Sequence, residues 1–375
     1  MPNPTELLHN PNFRRNTVRV VSALPLAGTV FGIACNTTEV RPNPQLTSRP
    51  AITIEATVSP DQLDVSAWRK QPLALRRRQL EFLQIPTTEE FDKYKEMSIV
   101  VAELFCQDGI FTKNPQQLQD SIRIVNGDEL LEQARKEAIR PINETEAAKF
   151  RDLTFEIVGN KERFIYLNQQ FIEAYGKREL ERNPNITAQL QGKNITMMAM
   201  EVILFHAYSH ASRTDEAFDI TPLEVTNGNT NTVDYTFTRF EGFGLSGRRL
   251  DGSPTRFGNE GLAELVAKIK AGPGNYPVLT KDYADATALT DALNRKAGMT
   301  SREVMEYFMG KKGPDSGKQF LARWASIKNT KQPNQNDAIQ ALMAIEMRSH
   351  GNITQQEATR AIQGYLGNSA LQLQR

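Results

Sequence analysis

The sequence predicts an α+β protein, mainly helical with a small β-sheet and followed by a helical C-terminal subdomain. Three observations lead there. A run starting at Thr196, TMMAMEVILFHAYSHASR, carries one charge, Glu201, between Met197 and Phe205, as a helix buried at its start would. Short β-rich runs stand beside turn dipeptides: SIRIV before Asn126-Gly127, and Thr154–Val158 and Phe164–Leu167 around Gly159-Asn160. After Gly272-Pro273-Gly274, residues 276–375 read as mostly helical, with no internal repeat or heptad array.

Composition narrows the function classes. The chain has 375 residues, 39% hydrophobic and 24% charged, which excludes a disordered chain and a multi-span membrane protein. The formal net charge of +1 argues against a protein built to hold nucleic acid. Two cysteines exclude a disulfide scaffold and a cysteine-rich zinc site. The four histidines, His9, His206, His210 and His350, are few enough that any patterned pair is informative.

Residues 1–35 read as an export segment. Arg14, Arg15 and Arg19 precede an uncharged stretch, VVSALPLAGTVFGIAC, that is short for a bilayer span and broken by Pro25. Its end, Gly32-Ile33-Ala34-Cys35, resembles a bacterial lipobox, which implies lipidation at Cys35 and a lipid-anchored, extracytoplasmic protein. Gly32 departs from that pattern, and Arg14-Arg15 weakly resembles a twin-arginine signal. A plain cleaved signal or a short anchor is the simpler alternative. With Cys35 lipidated, Cys106 has no intrachain partner and reads as a buried core thiol. Residues 36–66, rich in Pro, Thr, Ser and Asn, suit a linker.

Helical signals begin near Ala67, and a metal-site domain is expected over 67–272, with the helical subdomain over 273–375. Thr87-Thr88-Glu89-Glu90 offers a capping box before FDKYKEMSIVVAELF. Arg76-Arg77-Arg78 reads as a solvated helix face rather than a phosphate site. DELLEQARKEAIR and residues 169–182 read as polar helices, residues 213–258 as loops and strands including TVDYTFTRF, and NTKQPNQND (329–337) as a loop. The five N-x-[ST] triplets, in a chain rich in Asn and Thr, are expected by chance.

The chemistry gathers at His206 and His210, four apart on the buried helix, which places both imidazoles on one face where they can share a metal. A metal needs a third protein ligand, and Glu260, in Asn259-Glu260-Gly261-Leu262-Ala263-Glu264, is a suitable one. Glu264, one turn on, can accept a hydrogen bond from a ligand histidine and fix its tautomer. Taken singly, two core histidines and an ordinary N-terminal Asn-Glu pair explain the same residues.

These residues resemble the gluzincin, thermolysin-like zinc metallopeptidases, which carry H-E-x-x-H on one helix and a glutamate ligand on a later one. NEGLAE fits the string found in small bacterial members, and TALTDALNRKAGMT and SREVMEYFMG fit the text that follows. The resemblance spans about 196–310 and implies a zincin-like fold, Zn2+ on His206, His210 and Glu260, and peptide-bond hydrolysis. One departure matters: Ala207 stands where active members have the glutamate general base, and a methyl group moves no proton. Glu201 points elsewhere, and Asp215 and Glu216 fall beyond the helix. The chain is then a pseudoenzyme, a peptidase disabled by substitution at Ala207, or an enzyme with a non-local base. Tyr235, Tyr276 and Tyr283 either stabilise an oxyanion or simply pack. The competing expectations are a non-catalytic lipoprotein that binds a peptide or envelope partner on the same scaffold, and a structural helical lipoprotein without metal.

Overall fold

The computed structural model describes residues 19–22, 64–82, 91–111, 114–137, 142–158, 164–182, 193–226, 233–249, 252, 254–272, 281–328 and 333–371. Outside them lie Cys35 and most of the export segment, the linker up to residue 63, Thr87–Glu90, the Gly159-Asn160 turn and Tyr276. Among the described residues no helix is long and apolar enough to cross a membrane.

The architecture is α+β, with two sheets where the sequence suggested one. In the first, β2 (Ile122–Val125) pairs in parallel with β4 (Ile165–Asn168), which pairs antiparallel with β3 (Thr154–Val158). The edge strand β1 (Arg19–Ser22) falls within the expected export segment and runs antiparallel to β3. The parallel pair needs a crossover, which α5 (Gly127–Glu137) and α6 (Glu144–Leu153) supply. The second sheet is an antiparallel meander of β5 (Ala217–Thr226), β6 (Val233–Glu241), β7 (Gly244–Arg249) and β8 (Pro254–Phe257).

The helices before the meander are α1 (Val65–Arg69), α2 (Leu73–Phe82), α3 (Lys93–Cys106), α4 (Pro115–Gln119), α7 (Gln169–Arg182) and α8 (Ile195–Ser212). α3 starts later than the Thr87–Glu90 box implied, because Asp92 caps it, accepting from the Tyr94 and Lys95 amides. Asn194 caps α8 in the same way. α8 is buried on all sides from Ala199 to His210, since α2, α3, α4, α7 and α9 (Glu260–Ala271) all pack on it. Its Tyr208 hydroxyl bonds Ser98 of α3, 2.7 Å from Oγ, so a polar tip deep in the core is satisfied.

The C-terminal helices are α10 (Lys281–Lys296), α11 (Ser301–Phe308), α12 (Ser316–Ala325), α13 (Gln335–Ser349) and α14 (Gln355–Leu366). Thr300–Glu303 and Thr354–Glu357 form capping boxes at α11 and α14. Residues of this part, Ala286, Leu293 and Ile345, share one hydrophobic cluster with Phe205, Leu262 and Val266, so the core is continuous across the boundary expected at 272–273.

Two local expectations change. Arg76-Arg77-Arg78 is not a solvated face: Arg76 is buried and paired with Glu103, Arg77 bridges Glu81 and Glu201, and Arg78 lies over the Phe82 ring. Packing of α2 against α3 and α8 brings acids to these guanidiniums, which sequence adjacency alone does not reveal. Cys106 is half-buried rather than fully buried, and its burial raises the thiol above its ordinary range.

Candidate metal centre

The centre lies where the last two turns of α8 meet the first turn of α9. Helical spacing brings His206 and His210 to one face, with ring centroids 4.6 Å apart. Glu260 comes from the other helix, and α9's start is tied to the second sheet: Asn259 Nδ2 donates to the Gly242 carbonyl at 3.1 Å. That carbonyl belongs to the two-residue turn between β6 and β7, where Gly242 and Phe243 both have positive φ. For Phe243 this conformation costs on the order of 1 kcal/mol. Packing of its ring on Phe240, Phe308 and Phe320 offsets that cost.

His206 Nε2, His210 Nε2 and Glu260 Oε2 form a small triangle. The two nitrogens are 3.0 Å apart, and the carboxylate oxygen is 3.3 Å from the first and 3.1 Å from the second. Tetrahedral zinc with bonds of about 2.0–2.1 Å has ligand–ligand edges of about 3.3 Å. The three donor atoms are therefore already spaced as one cation would hold them, and this buried group can bind a metal ion. Glu264 Oε2 lies 2.7 Å from His206 Nδ1, where it can accept a hydrogen bond from Nδ1, and Nε2 is the nitrogen that faces the triangle.

Electrostatics agree with the geometry. Burial favours neutral His206, but the hydrogen-bonded carboxylates of Glu260 and Glu264 outweigh burial and raise the imidazole to about 10. Two carboxylates facing one imidazole thus draw positive charge into the cluster, and a divalent cation supplies it in place of the proton.

Of the other predicted residues, Tyr283 joins the centre: its hydroxyl donates to Glu260 Oε2 at 3.3 Å and its ring stacks on His206 at 5.5 Å. Tyr235 does not; it lies in β6 stacked on Phe237, with Arg249 over its ring. Glu201 pairs with Arg77, and Glu216 accepts from the Gly317 and Lys318 amides at the start of α12, so both carboxylates are engaged away from the donor triangle. Ala207 is completely buried among apolar side chains.

Sequence reasoning missed Glu346. This buried residue of α13 accepts from the Glu260 amide at 2.9 Å and the Gly261 amide at 3.4 Å. Its signal was available: like Glu201, it is the one acid in an apolar helical run, here ALMAIEM.

The chain matches no protein-family model, no curated protein and no solved structure with which it was compared.

Proposed function

We propose that this chain is an exported, zinc metallopeptidase-like protein of zincin type whose His206–His210–Glu260 site holds Zn2+ and whose catalysis is impaired at Ala207. The observation that carries the reading is the donor triangle, with edges of 3.0, 3.1 and 3.3 Å. Two imidazoles and one carboxylate are a donor set suited to zinc.

When bound, zinc supplies Lewis acidity toward an oxygen ligand. The protein's part is to hold and orient. His206 and His210 present their Nε2 atoms, Glu264 fixes the His206 tautomer, and Tyr283 hydrogen-bonds the carboxylate of Glu260. No proton acceptor stands at position 207, so the residue after the first ligand takes no proton from a nucleophile and returns none to a leaving amine. The substrate class on this reading is a peptide or protein outside the cytoplasm, reached from a lipid anchor at Cys35.

The complete burial of Ala207 favours a second reading, a non-catalytic lipoprotein that binds a peptide or envelope partner on the same scaffold. The variant Ala207→Glu separates the two. An impaired peptidase gains cleavage of a peptide library by about a hundredfold to ten-thousandfold, the usual worth of a positioned base. A binding protein gains no cleavage and loses stability, because the new carboxylate enters an apolar site.

A further inference from the structure

We infer that Glu346 is the positioning residue of the metal site: its carboxylate clamps the first turn of α9 and thereby aims the Glu260 side chain at His206 and His210. This inference rests on the metal-site reading above and deepens it, since it makes the C-terminal helical part a component of the site.

The first amides of a helix have no partner within it, and a capping side chain ordinarily satisfies one. Asn259, at the cap position of α9, makes no such bond: its Nδ2 donates to the Gly242 carbonyl, and its Oδ1 accepts from no α9 amide. Glu346 replaces it from 86 residues away, holding the Glu260 amide at 2.9 Å and the Gly261 amide at 3.4 Å. A carboxylate is suited to this place, since a helix N-terminus carries partial positive charge. Fixing the backbone of Glu260 fixes the direction of its Cα–Cβ bond, and from that root the contacts of Oε2 with the Tyr283 hydroxyl and the two Nε2 atoms hold the side-chain torsions.

The approach of α13 depends on residue 261 being glycine. A Cβ there would lie 2.7 Å from Ile345 Cγ2 and 3.0 Å from Thr290 Oγ1, which would push α13 and α10 away. The three residues Asn259-Glu260-Gly261 therefore play separate parts. Asn259 ties the helix to the second sheet, Glu260 supplies a ligand, and Gly261 leaves the gap through which Glu346 reaches the backbone.

The test uses the full chain, zinc alone as probe, and competition against a chromogenic chelator, beside thermal unfolding of the chelator-treated protein. Glu346→Leu should weaken zinc binding by about tenfold to a hundredfold, the range for groups that orient metal ligands. Glu346→Gln, which keeps one acceptor oxygen, should weaken it less. Gly261→Ala should also weaken it, and adding Ile345→Ala should recover most of that loss even though a second core side chain has been cut back. A role in stability alone would give a double variant worse than either single one. If the parent binds one zinc and Glu346→Leu binds it equally tightly, the positioning role is overturned and the metal site stands. If the parent binds no zinc, the metal site and this inference both fall. Should Glu346→Leu not fold, the Gly261 pair decides, and an unchanged affinity in Gly261→Ala overturns the inference.

Discussion

Helix α8 carries two buried polar clusters, and they differ in composition. Near its start, Glu201 meets Arg77, which also pairs with Glu81, and Glu81 pairs in turn with Lys193. Two acids face two bases, so the cluster balances itself. Near its end, His206 and His210 meet Glu260 and Glu264, with Glu346 behind Glu260. Two acids face the two imidazoles with a third behind them, and two nitrogens and one carboxylate oxygen converge on one point. The first arrangement is an ion-pair network that joins α2 to α8; the second is suited to a cation. Burial of the acids alone does not distinguish them, since Glu81 and Glu201 are buried as Glu260 and Glu264 are. What separates them is the sign of the count and whether lone pairs converge.

The largest expected effect breaks the second cluster. His206→Ala should lower zinc affinity by more than about a hundredfold, and Glu264→Gln by about tenfold to a hundredfold, because the latter only orients His206. Competition against a chelator measures both. The same substitutions should leave the ion-pair cluster intact, so the chelator-treated variants should still fold.

A smaller effect, on stability rather than metal, is expected from the first cluster. Arg77→Met leaves Glu81 and Glu201 buried with Lys193 as their remaining cation in this network, and should cost about 2–4 kcal/mol in chemical unfolding. Zinc stoichiometry should remain one per chain. A variant that lost zinc as readily as stability would show the two clusters to be one coupled unit.

The smallest effect sharpens the comparison through pH. Burial pushes the Glu201 carboxyl up to about 7, against the pull of Arg77. In the unfolded chain it titrates near 4.3, roughly, so the folded protein holds this proton more tightly. The resulting stabilisation is full below about pH 4 and is lost as pH rises through about 7. Stability of the parent should therefore fall relative to Glu201→Gln between about pH 5 and 8, by at most ~3 kcal/mol. Unfolding curves on both zinc-loaded and chelator-treated protein would check it, and a slope shared by parent and variant would assign the pH dependence to another group.

Much of this was legible in the sequence. The hairpin of β3 and β4, the polar helix over 169–182 and the buried α8 follow from local periodicity and turn residues, which act over a few positions. The His206–His210 pair follows from helical spacing, and Glu260 and Glu264 from one string of six residues. α3 starts after the Thr87–Glu90 box because Asp92, immediately before its first residue, accepts from the Tyr94 and Lys95 amides.

What the tertiary structure decided involves partners far apart in the chain. The sequence named three ligands, but only the meeting of α8 and α9 sets their separations near 3 Å. The arginine triplet became an ion-pair network because α3 and α8 bring Glu103 and Glu201 to it. Glu346 was invisible as a partner of Glu260 because a hydrogen bond across 86 residues leaves no local pattern. Periodicity reports which face of an element is buried; it does not report which other element's polar groups arrive there, and a buried site is made of those arrivals.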